Sequence, residues 1–67
     1  MNRELLRAEM NKRGMNQTQL AELTNISPSI ISRILSGERD CNVATAAKIV
    51  NAMKLKPAVA TEIFFNE

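Results

Sequence analysis

The groups in this chain that could do chemistry are hydrogen-bonding groups rather than reactive ones. Histidine is absent, Cys41 is the single cysteine, and no Gly-rich phosphate loop occurs. Without a metal-ligand set, a nucleophile paired to a base or an acid pair set for proton transfer, no reaction has its parts, which argues against an enzyme and against a metal or cofactor. What remains is concentrated between Asn16 and Gly37, in NQTQLAELTNISPSIISRILSG. There Ser29, Ser32 and Arg33 fall on one side of a short helical pattern, opposite Ile31, Ile34 and Leu35 at i, i+3 and i+4. Small hydroxyls allow close approach and a guanidinium can bond guanine bidentately, so this face suits a groove floor, although Arg33 could equally clamp a phosphate or pair with Glu38 on the surface. Gln17 stands in the first turn of the preceding segment, where a helix N-terminus favours an anion and the amide can donate to a phosphate.

These groups need elements to carry them. Asn16 precedes Gln17, Thr18 and Gln19, so its side chain can accept from a first-turn N–H while Gln19 reaches back, a capping box. Leu20, Ala21 and Leu23 or Thr24 then supply an inward face. Asn25 tolerates positive φ and stands where a left-handed residue would end the helix. Ile26 is a candidate staple, Ser27 an N-cap, Pro28 the first helical residue and Gly37 the stop. Two short helices joined by a tight turn, the second opening on a cap, have the layout of a DNA-reading helix-turn-helix.

Five helices are predicted in all, at about 2–13, 17–24, 28–36, 43–53 and 57–65, with no strand pattern in competition. The first buries Leu6 and Met10 with Leu5 or Ala8 beside them. The fourth, capped by Asn42, contributes Val43, Ala46, Ala47, Ile49 or Val50, and Met53. The methionines read as gap-filling core. The fold class is therefore all-α, and residues 1–67 form one small domain near the size limit for a core without disulfide or metal, so that dimerisation would help.

Nine Lys/Arg against seven Asp/Glu leave a net charge of +2, too mild by itself to mark a nucleic-acid binder. Only a few phosphate contacts per subunit are expected, with a moderate salt dependence. The lone cysteine fits a reducing cytoplasm. No apolar run approaches the ~20 residues that span a bilayer, and Met1 leads directly into a charged helix, so neither signal peptide nor membrane anchor is expected.

Taken together, Arg13-Gly14, Gln17, Leu20-Ala21-Glu22, Asn25, Ile26-Ser27, Ile31-Ser32-Arg33-Ile34, Gly37, and the segment Val43 to Met53 with Lys48, Ile49 and Ala52 carry a family resemblance. Over roughly residues 4–55 the sequence resembles the Cro and phage-repressor type helix-turn-helix proteins, also called the xenobiotic-response-element family. The tail Glu62-Ile63-Phe64-Phe65 looks like the ending of many short phage and plasmid regulators. The resemblance implies a compact five-helix, lambda-repressor-like domain that binds double-stranded operator DNA as a homodimer and regulates transcription, by default as a Cro-like repressor in a bacterial or phage-infected cell. With this resemblance beside the residues themselves, the candidate base contacts are Pro28, Ser29, Ile30, Ser32 and Arg33, and the candidate phosphate contacts are Asn16, Gln17, Ser27 and, by family analogy, Arg39. Ile63, Phe64 and Phe65 could close the small core or form part of a partner surface; as a cluster at the end of so small a chain they are, with the adjoining Val59, the candidate dimer contacts.

The sequence departs from the family pattern in the recognition helix and before the last helix. Pro28 stands where Gln or Arg often meets the bases, and it can touch a thymine methyl or sugar but cannot donate. Ile30 holds a position more often Thr or Ser and is half exposed by its place on the helix. Specificity must then shift to other side chains. Lys56 precedes Pro57 where a capping Ser is usual, so the last helix is expected to start loosely. Pro28 and the low net charge also fit an alternative, a protein-interaction module of antitoxin or antirepressor type on the same fold. Without a regulatory domain, control would come from synthesis, decay, dimer dissociation or a protein antagonist.

Overall fold

The computed structural model describes residues 1–65. Helix α1 (Arg3–Lys12) opens at Asn2, whose side-chain oxygen accepts the Leu5 N–H at 3.0 Å. Helix α2 (Gln17–Thr24) opens on the full capping box, with Asn16 Oδ1 accepting the Gln19 N–H at 2.8 Å and the Asn16 N–H donating to Gln19 Oε1 at 2.9 Å. It ends at Asn25, in the left-handed region at φ 58°, whose N–H donates to the Ala21 carbonyl. Helix α3 (Pro28–Ser36) ends at Gly37, φ 91°, a backbone that a side chain rarely adopts. Helix α4 (Val43–Met53) is capped by Asn42, whose side chain accepts the Thr45 N–H at 2.8 Å.

The last segment differs from the single helix predicted at 57–65. Helix α5 covers Pro57–Ala60 only and passes into a π-helical turn, Thr61–Phe65. Lys56 makes no side-chain cap, and the Asn2 N–H donates to the Ile63 carbonyl at 2.7 Å, tying the start of the chain to the tail. That bond and the burial of Ile63 fix the last turn.

Helices α2 and α3 pack on each other, α4 packs on α2, and α1 lies across α3 and the tail. Leu6, Leu20, Ile31, Ile34, Ile49 and Ile63 are fully buried where these faces meet. Burying each such side chain stabilises the fold by roughly 1.5–3 kcal/mol. Several sequence alternatives are decided here. Thr24 rather than Leu23 turns inward, Leu5 is half-buried while Ala8 is exposed, and Ile49 lies deeper than Val50. Thr24 can be buried because its hydroxyl donates to the Leu20 carbonyl at 2.7 Å.

Two expected core positions of α4 are corrected. Val43 is exposed because it sits in the first turn, past the edge of the core that Ala46, Ile49 and Met53 reach, and Ala47 is exposed because it lies one residue off that stripe. No helix among the described residues is long and apolar enough to cross a membrane.

Candidate nucleic-acid interface

Helix α3 is held by its apolar side. Ile31, Ile34 and Leu35 are buried, so Ser29, Ser32 and Arg33 are necessarily turned outward, and all three are exposed. Pro28 is exposed beside them at the helix start, and Ile30 is half-buried. The three-residue turn Asn25–Ser27 brings α2 against this helix, with Ile26 half-buried against the core. The turn is set locally, by positive φ at Asn25 and fixed φ at Pro28.

Ser27 occupies the N-cap position without capping through its side chain. Its own carbonyl accepts both the Ile30 and Ile31 N–H groups at 3.0 Å, which engages the first-turn donor that its hydroxyl would take. The Ser27 and Ser29 hydroxyls instead meet at 3.0 Å on the surface. That pair of donors stands at the positive end of α3. Asn16 commits its side-chain oxygen to the capping box but not its amide N–H2 donors, and Gln17 is exposed in the next position.

Arginines of α1, counted only as charge in the sequence, set the other end of α3. Arg3 Nε donates to the Ile34 carbonyl at 2.9 Å, and an Arg7 guanidinium N–H donates to the Leu35 carbonyl. A second Arg3 nitrogen reaches Asp40 Oδ1 at 3.1 Å in the loop after the helix. Cations on the last carbonyls of a helix satisfy orphan acceptors and oppose the negative end of its dipole. In the same manner Arg13 Nε donates to the Met53 carbonyl at 3.0 Å at the end of α4, while another nitrogen pairs with the buried Glu9 at 3.0 Å. The partner carbonyls lie far away in sequence, so the only signal available beforehand was the surplus of arginine in the first helix.

This internal use changes the electrostatic footprint. Of the nine cations, Arg3, Arg7 and Arg13 bond backbone carbonyls and Lys12 lies 3.9 Å from Glu9, leaving Arg33, Arg39, Lys48, Lys54 and Lys56 without an ion pair among the described residues. The Arg33–Glu38 pair that the sequence allows is not formed. Arg7 and Asn11 also line a cleft of about 300 Å³ with Asn16 and Gln17 at the start of α2. Neither was singled out by its position in the sequence, although their i, i+4 spacing places them on one side of α1.

Of the candidate dimer contacts, Phe64 and Phe65 line one groove, and Ile63 does not reach the surface. Ile63, at 0% exposure, closes the core instead and offers nothing to a second molecule. Val59 and Phe64 are half-buried against the core, and Phe65 is exposed. Cys41, beside Phe64 and Phe65, is half-buried; burial pushes its thiol pKa up, opposed by the nearby Arg3 guanidinium and reinforced by Asp40. No group of side chains suited to a metal ion occurs among the described residues.

An α2–turn–α3 pair clamped on a small helical core, with a polar face on α3 and donors at the start of α2, defines a helix-turn-helix DNA-binding domain. A family model described as helix-turn-helix matches residues 6–59, and the chain belongs to this family, of the Cro/C1 type. Its members are DNA-binding transcription regulators, generally non-enzymatic, and this chain is one of them. No curated protein and no solved structure matches the chain.

Proposed function

We propose that this chain is a sequence-specific reader of double-stranded DNA that represses transcription by occupancy, as a two-fold dimer on a near-palindromic operator. The observation that carries the reading is the division of α3, whose apolar side is wholly committed to the core while Ser29, Ser32 and Arg33 face outward. In this reading α3 enters the major groove. Arg33 bonds a guanine, Ser29 and Ser32 make short-range contacts, and Pro28 and Ile30 pack on thymine methyl groups. Asn16, Gln17, Ser27 and Arg39 contact phosphates and fix the register. Two such helices about one DNA turn (~34 Å) apart read two half-sites. Residues 1–67 act as one unit that needs no cofactor and works in the cytoplasm.

The test is selection of bound duplexes from a random-sequence pool, followed by fluorescence anisotropy at two salt concentrations. Enrichment of a two-fold-symmetric sequence that binds far tighter than bulk DNA is expected. Weak, unselective binding would overturn the proposal. It would favour a second reading, a protein-binding module of antitoxin or antirepressor type, for which the exposed Val43 and Phe65 are the specific support.

A further inference from the structure

We infer that the cleft between the end of α1 and the outer side of α2 docks an acidic peptide segment of another protein, held by an apolar anchor. Leu23 is the receiving group. It is 60% exposed on a helix whose Leu20, Ala21 and Thr24 fill the core, so the fold makes little use of its side chain. With Arg13, Gly14, Met15, Gln19 and Glu22 it lines a cleft of about 250 Å³. Met15, half-buried against the core, brings an unbranched thioether that repacks readily around an incoming group. At Gly14 a Cβ would meet nothing within 4 Å, so the backbone there is open to approach. A recess of this size takes one large apolar side chain, the kind of anchor that holds a short peptide in a groove.

Charge selects the partner. Arg13 lines the cleft, and its Nε also donates to the Met53 carbonyl, which sets the next residue, Lys54, beside it. Lys54 is exposed at the left-handed end of α4, and Lys56 follows it beyond the buried Leu55; neither forms an ion pair among the described residues. Lys12, its side chain 75% exposed, directly precedes Arg13. Two carboxylates oppose these cations. Glu9 is buried and already engaged, 3.0 Å from Arg13 and 3.9 Å from Lys12, which leaves Glu22 as the exposed one. The accessible surplus around Leu23 is therefore positive, and carboxylates set around an apolar side chain match both features. By contrast, the groove that holds Val43 and Phe65 is lined by Asp40 and by no Lys or Arg. None of the residues proposed to touch bases or phosphates lines the Leu23 cleft, so the inference stands apart from the operator reading.

The test is titration of the isotopically labelled full chain, followed by its amide resonances, with a synthetic Glu-rich helical peptide carrying leucines at i, i+3 and i+4. Shifts centred on Gly14, Met15, Gln19 and Leu23 are expected, with a Kd of about 10 µM to 1 mM that weakens as salt is raised. Copies of the peptide with Gln for Glu or Ala for Leu should each bind about tenfold or more weakly. These comparisons use the unaltered chain. Leu23→Ser should weaken binding of the parent peptide about tenfold, and Lys54→Asn about two- to fivefold. Both sites are exposed and Asn tolerates the left-handed backbone at position 54, so the melting temperature should hold, as circular dichroism will check. Shifts that are absent or centred elsewhere, equal binding of the Gln copy, or indifference to Leu23→Ser would overturn the inference. So would shifts at the same amides on raising protein concentration alone, which would give the cleft to a second copy of the chain.

Discussion

Arg33 is the long cation on the outward face of α3, and it forms no ion pair among the described residues. Its free donors make it the residue whose loss should be felt at the bases rather than in the fold. Arg33→Ala is expected to weaken binding to the selected duplex by roughly 5- to 150-fold, the equivalent of ~1–3 kcal/mol for a bidentate base contact. The melting temperature should stay within about 2 °C, since exposed substitutions usually change stability by less than ~0.5 kcal/mol. Anisotropy on the selected and on a scrambled duplex checks it, and equal loss on both would assign Arg33 to the phosphates instead. Ile63 makes the opposite case. With no exposed surface it belongs to the core, so Ile63→Ala should destabilise the chain by roughly 2–5 kcal/mol in urea titration. For so small a domain that is a large share of its total stability.

At the scale of elements, local caps start and stop the helices, while α1 decides how α3 is presented. The Arg3 and Arg7 bonds to the Ile34 and Leu35 carbonyls fasten the end of the recognition helix to the first helix. Arg7→Gln should cost roughly 1–3 kcal/mol of stability, the range for a hydrogen bond to a charged group. It should also lower the ratio of specific to unselective binding by more than the loss of folded protein explains, because a tilted helix still finds phosphates but misses base edges. Comparing that ratio at a temperature where both proteins are folded separates the two effects. Helices α2 and α4 were legible in the sequence, as Asn16, Gln19, Asn25 and Asn42 act on partners within a turn of themselves. The end of α5 was not, because its geometry depends on Asn2 reaching Ile63 from the other end of the chain.

For the whole molecule, the cations held inside the fold limit what DNA can attract. With Arg3, Arg7 and Arg13 bonded to carbonyls, Arg33 and Arg39 are the proposed contacts that carry charge. Two copies place at most four such charges near the duplex, so a plot of log K against log salt should have a slope no steeper than about −4. Anisotropy between 50 and 300 mM salt measures it, and a steeper slope would bring Lys48, Lys54 or Lys56 into the interface. The sequence by itself determined the helix-turn-helix: the cap, the left-handed Asn25, the Pro28 start, the Gly37 stop and the apolar stripe of α3 all act over a few residues, so their types and spacing suffice. Only the tertiary structure decided which arginines are spent on helix ends, that Val43 is exposed and joins Phe65 at one groove, and that Ile63 lies inside. Each depends on how helices dock across 20 or more positions of sequence, and packing of that range leaves no periodic mark on the chain.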